Sequence, residues 1–366
     1  MSVESRHTAG PRTRADGPRK GRGATRNESG RYESLSRERI DDGWGAADEE
    51  PPPLRTSLTP DSSRSVISTN ESPDIPFDCS INPYRGCEHG CVYCYARPTH
   101  AWLGLSPGLD FESKLFFKPD AATRLRAELS RSGYRCTPMA LGSNTDPYQP
   151  VERSLGVTRS ILEVLEATNH PVRIVTKGAL VERDMDLLSA MAKKNLCTVS
   201  VSITTLDHRL ARRMEPRATA PARRLKTIRT LSDAGIPVNV LVAPIIPVLT
   251  DAELENILSA VRESGAVSAG YVLLRLPLEI KELFTDWLAT HYPLKADHVI
   301  ARVRDTRGGK DYDATFGRRM RGTGEYADLI ARRFRLAVKR LNFPGEPELD
   351  CTIFRTPSVS GQLELF

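Results

Sequence analysis

No stretch of this 366-residue chain stays apolar over the roughly 18 to 20 residues that a membrane-spanning helix needs. The N-terminal run from Met1 to His7 lacks the apolar core of a secretory signal. Cysteine is scarce and odd in number, seven in all, which with no secretion signal argues against a disulfide framework. Charge of one sign is not in large excess either. With 52 Lys and Arg against 46 Asp and Glu, the net +6 permits contact with nucleic acid but does not demand it. Together these absences predict a cytoplasmic protein with no membrane partner, in a reducing compartment. The length allows one large domain with appendages or two modest ones.

Residues 1–72 lack apolar periodicity. They are rich in Arg, Gly, Ser, Pro and Glu and contain Pro51, Pro52 and Pro53. Such a segment cannot bury enough surface to offset its ordering entropy, so a disordered N-terminal tail is predicted over 1–72. From about residue 73 the texture changes. Short apolar strands are predicted at 77–81, 138–141, 172–176, 198–203, 238–243 and 271–274, with helical patterns between them at 152–167, 182–194, 222–234 and 251–263. Gly235 and Pro237 punctuate one helix-to-strand boundary. Strands alternating with helices of this length imply βα units on a parallel sheet, a core domain spanning 73–290.

Three of the seven cysteines, Cys87, Cys91 and Cys94, fall within one loop after the first predicted strand, with the spacing C-x3-C-x2-C and no fourth cysteine beside them. A structural zinc site closes its sphere with four ligands, whereas a four-iron cluster takes one thiolate per iron. Three thiolates on such a cluster leave one iron open. A zinc knuckle completed by His89 or His100 is the competing reading, although no second cysteine pair supports it. Cys197 opens an apolar run and reads as a core residue; Cys79 reads as a buried strand residue.

The loop Arg85-Gly-Cys-Glu-His-Gly-Cys-Val-Tyr-Cys-Tyr95, with aromatic Tyr93 just before the last cysteine, resembles the signature of the radical S-adenosylmethionine (SAM) superfamily. Through residues 82–87, the turn at Ser143–Asp146 and the strand end at Lys177, the chain is most similar to the spore photoproduct lyase-like branch. The resemblance covers roughly 73–290. It implies an α/β fold, a partial (β/α)6 TIM-like barrel, with chemistry at the C-terminal strand ends. It also implies a [4Fe–4S] cluster on Cys87, Cys91 and Cys94, SAM on the open iron, an external flavodoxin- or ferredoxin-like electron donor, and a 5′-deoxyadenosyl radical that abstracts hydrogen from substrate. The expected SAM contacts are Tyr93 near the adenine, Ser143, Asn144 and Asp146 at the second strand end, Lys177 at the third, Ser200 and Ser202 on one face of the fourth, and Ala243 in an apolar wall at the fifth. Glu215 and Arg217 are expected to reach toward substrate or cofactor.

One departure stands out. Photoproduct lyases use a cysteine close to the second strand's end as hydrogen-atom donor, while here Cys136 lies several residues too early. A strand rise of about 3.3 Å per residue puts it near the opposite end of the barrel. Residues 291–366 form a basic, mainly helical extension, with Arg302, Arg304, Arg307, Lys310, Arg318, Arg319 and Arg321 leading into a helical pattern from Tyr326 to Leu341. It reads as a surface helix docked on the barrel, or as a phosphate-binding stripe for DNA or RNA. Two readings from other classes stay open: a zinc- or cluster-bearing nucleic-acid-binding module, and a redox sensor without SAM turnover.

Overall fold

The structure is a computed structural model and describes residues 19–33 and 53–357. Its strands are β1 (Ser57–Pro60), β2 (Ile67–Thr69), β3 (Cys79–Ile81), β4 (Tyr84–Arg85), β5 (Lys114–Phe117), β6 (Met139–Leu141), β7 (Val172–Thr176), β8 (Cys197–Ser202), β9 (Val238–Ile245) and β10 (Ser268–Leu273). A seven-stranded sheet runs in the order β10-β9-β8-β7-β6-β3-β2. Every pair from β3 to β10 is parallel, and β2 joins β3 antiparallel. The predicted strands therefore exist, in sequence order across the sheet, although β10 begins three residues earlier than its apolar run. The barrel is open, since β10 and β2 do not pair.

Alternation along the strands sorts residues to the two faces of the sheet. Val172 and Ile174 on β7, Cys197, Val199 and Val201 on β8, and Val238, Val240 and Val242 on β9 are all buried in the main core, under the helices. The helix Val157–Ala167 supplies Val157, Ile161, Leu162, Val164 and Leu165 to that core, the spacing of one helical stripe. The pattern predicted as one helix over 152–167 is interrupted at Gly156. Pro221 opens the helix Pro221–Asp233, where its missing N–H costs nothing. The opposite face carries Ser200 and Asn239 at one level of the register. A separate small sheet, β1-β5-β4, was not legible in the sequence.

The C-terminal region is not an appendage. Val299 and Val303, from the helix Ala296–Asp305, share an apolar cluster with Phe284, Trp287, Val92 and Tyr93, so the expected boundary at residue 290 falls inside a packed unit. Met320 accepts from the β10 amide of Leu273 while Gly317 and Arg319 bond Asp74, so this segment bridges from β10 to the loop before β3. The helix Glu325–Arg340 docks as expected, burying Ala327, Ile330, Phe334 and Ala337. Beyond it, residues 345–357 run across the entry ends of the strands: Gly345 bonds Val267, Asp350 bonds Asn195 and Arg355 bonds Thr168, at 2.8–2.9 Å.

The N-terminal expectation needs correction. Residues 1–18 and 34–52 lie outside the described residues, as do 358–366. Residues 19–33, however, are not a solvated tail: Arg22, Gly23, Ala24 and Thr25 are buried against the cysteine loop. Propensity misses this because the segment's own residues are polar and small. Its order comes from a partner about 90 residues away that satisfies its backbone.

Candidate functional site

The loop after β3 carries the three cysteines, and its backbone is fastened on several sides. Cys87 N–H donates to Phe111 O at 2.9 Å and Val92 N–H to Met214 O at 2.9 Å, while Cys94 N–H closes a turn onto Cys91 O at 3.2 Å. Gln149 accepts from Glu88 N–H at 2.9 Å and donates to Gly86 O at 3.2 Å. The fully buried Arg97 donates to Cys91 O at 2.8 Å and to the Glu112 carboxylate. Cys87 and Cys91 are buried and Cys94 half-buried, and all three are free thiols.

Burial pushes all three thiols up, Cys91 to about 12, with each neighbouring sulfur adding to the penalty on ionisation at Cys87. Lys177, assisted by Arg224, works the other way at Cys91, and Arg97, assisted by Lys177, does so at Cys94. Three thiols close enough to repel one another as anions, with a lysine nearby, form a donor set that a metal centre would ionise. Three thiols on one loop are the donor type that a four-iron cluster takes, one fewer than its four irons. Of the two histidines of the zinc-knuckle reading, His100 has a buried Nδ1 with no hydrogen-bond partner among the described residues. His89 Nδ1 lies 3.2 Å from Asp146. His100 Nε2 is 2.9 Å from Lys114 O, and burial lowers its pKa to about 4.

The strand ends gather most of the expected SAM contacts around this loop. Asn82 fastens the turn after β6: its Oδ1 accepts from Asn144 N–H at 2.8 Å and its Nδ2 donates to Ser143 Oγ at 3.2 Å. Asn144 is half-buried. Lys177, after β7, holds its ammonium 5.8 Å from the Tyr93 ring centre and has no carboxylate partner among the described residues. Ser200 is half-buried, and Ser202, on the same face, is buried. Ala243 is half-buried, and its carbonyl accepts from Thr204 at 3.1 Å. β9 continues through Pro244 to Ile245, two residues past the predicted strand.

Asp146 departs from its expected part. Its carboxylate accepts from Thr176 Oγ1 and Lys177 N–H at 2.7 Å and from Tyr148 N–H at 2.9 Å, besides His89. Burial would raise its pKa, but His89 and these donors outweigh that and hold it at about 2. With its lone pairs committed, Asp146 ties the cysteine loop to the ends of β6 and β7 and has little left for a ligand.

Tyr93 is buried, with its hydroxyl on Glu215 and 3.1 Å from Thr204. Glu215 is in turn paired with buried Arg224, whose guanidinium also donates to Ser202 O at 2.9 Å. Arg217 pairs with Glu88 at 3.2 Å. Thus Glu215 and Arg217 reach the cysteine loop rather than an open cavity. Sequence reasoning missed Arg224, Arg97, Glu112 and Gln149, all helix or loop residues whose neighbours give no hint of burial. It also missed Tyr95, which is exposed, donates to Ser143 O and stacks 5.0 Å from the Arg275 guanidinium. The contiguity of Tyr95 with Cys94 was the one available signal.

Cys136 lies at the other end of the barrel, beside Cys351 and Tyr134. Cys197 is a core residue, its thiol 3.2 Å from Leu188 O, and Cys79 is half-buried in β3. Among the described residues no helix is long and apolar enough to cross a membrane.

Comparison with known proteins agrees with this arrangement. A family model described as the radical SAM superfamily matches residues 81–261. An uncharacterised protein of Mycobacterium tuberculosis is 36% identical over 277 residues, 75% of this chain and 79% of the relative. An uncharacterised protein of Methanocaldococcus jannaschii is 28% identical over 213 residues, 58% of this chain and 76% of the relative. Among solved structures, spore photoproduct lyase complexed with dinucleoside spore photoproduct superposes with a TM-score of 0.57 at 17% identity, covering 78% of this chain and 80% of that one. At that identity the likeness speaks for the fold.

Proposed function

On the premise that the chain belongs to the radical SAM superfamily, as the family match shows, we propose that it is an enzyme that cleaves SAM reductively. Cys87, Cys91 and Cys94 would hold a [4Fe–4S] cluster, and its electron would come from an external flavodoxin- or ferredoxin-like donor. When bound, cluster and SAM together supply the 5′-deoxyadenosyl radical, and the protein supplies placement and exclusion of side reactions. The observation that carries this reading is the convergence, at the mouth of an open parallel barrel, of three free thiols on one loop and a lysine with no carboxylate partner among the described residues.

The chain's own residues divide the remaining work. Lys177 offers its ammonium to the SAM carboxylate, a charge-assisted contact strengthened by partial burial. Ser143 and Asn144 present the polar groups of the β6 end to the SAM amino group, while Ser200 and Ser202 supply the inward face of β8 and Ala243 the apolar wall. Asp146 holds loop and strand ends in register. Glu215, neutralised by Arg224, fixes the Tyr93 phenol so that the ring keeps one orientation at the cysteine loop.

For the substrate we propose nucleic acid. Exposed Tyr95 beside Arg275, and exposed Trp102 with its ring centre 4.7 Å from that of Tyr32 and tilted to it, Tyr32 itself lying 5.4 Å from the Arg31 guanidinium, offer aromatic faces with cations alongside. Such pairs suit unstacked bases. The structural neighbour's dinucleoside ligand supports the same class. The C-terminal helix adds exposed Arg332, Arg335, Lys339 and Arg340. With Cys136 at the far end of the barrel, thymine-dimer repair with a strand-end cysteine donor is not proposed. The test is anaerobic turnover of the reconstituted protein with SAM and a strong reductant, with and without oligonucleotides. Formation of 5′-deoxyadenosine is expected, and its absence from an iron-loaded protein would overturn the assignment. Binding to oligonucleotides should weaken linearly in log affinity with log salt.

A further inference from the structure

The described N-terminal stretch lies along the back of the cysteine loop and its following segment, at backbone-to-backbone distance. A Cβ added to Gly23 would sit 1.7 Å from Gly90 O, and one added to Gly108 would sit 2.2 Å from Arg26 O. Only glycine allows either approach. The contacts are polar as well as close. Gly23 N–H and Ala24 N–H donate to the two oxygens of Glu112 at 2.9 and 2.8 Å, and Arg22 donates to Glu112 O and Leu54 O at 2.6 Å. Asn27 and Asp110 exchange two bonds, at 3.0 and 2.9 Å.

These bonds lead to a cysteine. Glu112, fully buried, pairs with Arg97, and Arg97 holds the carbonyl of Cys91. Glu112 thus receives two backbone N–H groups from the N-terminal stretch on one side and the cation that anchors Cys91 on the other. Lifting the stretch would leave a buried carboxylate short of two donors, with a penalty for each unmade bond. It would also expose the loop from Gly90 to Val92.

We infer that residues Arg22–Asn27 form the back wall of the cluster site, positioning Arg97 and Cys91 and keeping solvent and dioxygen from the cysteine loop. This rests on the assignment of a cluster to Cys87, Cys91 and Cys94. It makes the stretch a positioning element, separate in sequence from every residue that touches the cofactor.

The test compares full-length wild type, Gly23→Val, Asn27→Ala and Lys20→Ala after anaerobic reconstitution with iron and sulfide. Three readouts are taken: iron per chain, the rate of bleaching near 400 nm on exposure to air, and the first tryptic cuts. Gly23→Val should be cut early at Arg22 and Arg26 and should bleach about tenfold faster, the shift in local opening that goes with losing a buried charge-assisted bond. Asn27→Ala, which removes the Asp110 pair without a steric clash, should bleach about threefold faster by the same reasoning. Lys20 is exposed, and its variant should match wild type in iron content and bleaching rate. If Gly23→Val fails to fold, judged by circular dichroism, Asn27→Ala decides. A stretch cut early while the cluster stays as long-lived as in wild type overturns the inference. If wild type takes up no iron, the cluster assignment falls instead, and the tryptic cuts alone still report whether the stretch is held against the loop.

Discussion

The two ends of this barrel each gather cysteines, in opposite company. At the mouth, Cys91 and Cys94 sit near Lys177, with Arg224 and Arg97 behind them. At the base, Cys136 faces Cys351 and Asp350, with Tyr134, His170 and Phe354 packed together alongside. Burial raises the thiol at both ends, Cys136 to about 12, yet among the described residues cations favour the thiolate at the mouth and not at Cys136. Cations beside a thiol favour the thiolate, the form that binds a metal. Cysteine count alone does not separate the two ends; the charges around each thiol do.

The sharpest way to break the comparison is to remove one thiol from each end. Cys91→Ala should abolish iron uptake and 5′-deoxyadenosine formation, while Cys136→Ala should keep both; loss of iron in the second would erase the distinction. Next comes the buried pair beneath Tyr93. Arg224→Met strands the Glu215 charge and should cost about 3–5 kcal/mol in thermal or urea unfolding, most of it recovered in the double variant Glu215→Leu with Arg224→Met. An unchanged melt for the single variant would mean the pair is solvated.

Acid should act on both ends. His100 behind the cysteine loop and His170 at the base are each lowered by burial from 6.5 to about 4. The unfolded chain therefore binds more protons than the folded one between those values. Stability is full above about pH 6.5 and is lost as the pH falls toward 4, by about 3 kcal/mol per histidine at the limit. Asp146, held at about 2, continues the loss below its ordinary value of 3.8. Unfolding midpoints at pH 7.5, 5.5 and 4.5 should fall in that order, and His170→Phe should remove roughly half the slope if the two histidines contribute alike. The smallest effect is expected for Lys177→Met: about tenfold weaker SAM binding, the loss of one charged contact, with iron content unchanged. Equal affinity would remove Lys177 from the SAM site.

Much of this could be read locally. The period of Val172–Thr176 predicted a strand because alternate residues must face the helices, and β7 spans those same residues. The loop with Cys87, Cys91 and Cys94 was legible because its spacing is confined to eight residues. Lys177 stood out because a strand end is where a parallel sheet places its chemistry. By contrast, Asp146 looked like a ligand and is bound by four protein donors, three of them outside its own turn. The stretch at Arg22–Asn27 looked unstructured because its stabilising partner, Glu112, is some 90 residues distant.

The sequence by itself determined the alternation of strands and helices, the thiol loop and the position of Cys136 far from the mouth, since these follow from short-range period and spacing. Tertiary structure alone decided which charges meet: Arg97 with Glu112, Arg224 with Glu215, His89 with Asp146, and the N-terminal backbone with the back of the loop. The physical reason is that burying an ion demands a partner in space, and no local pattern in the chain records which one the fold will bring.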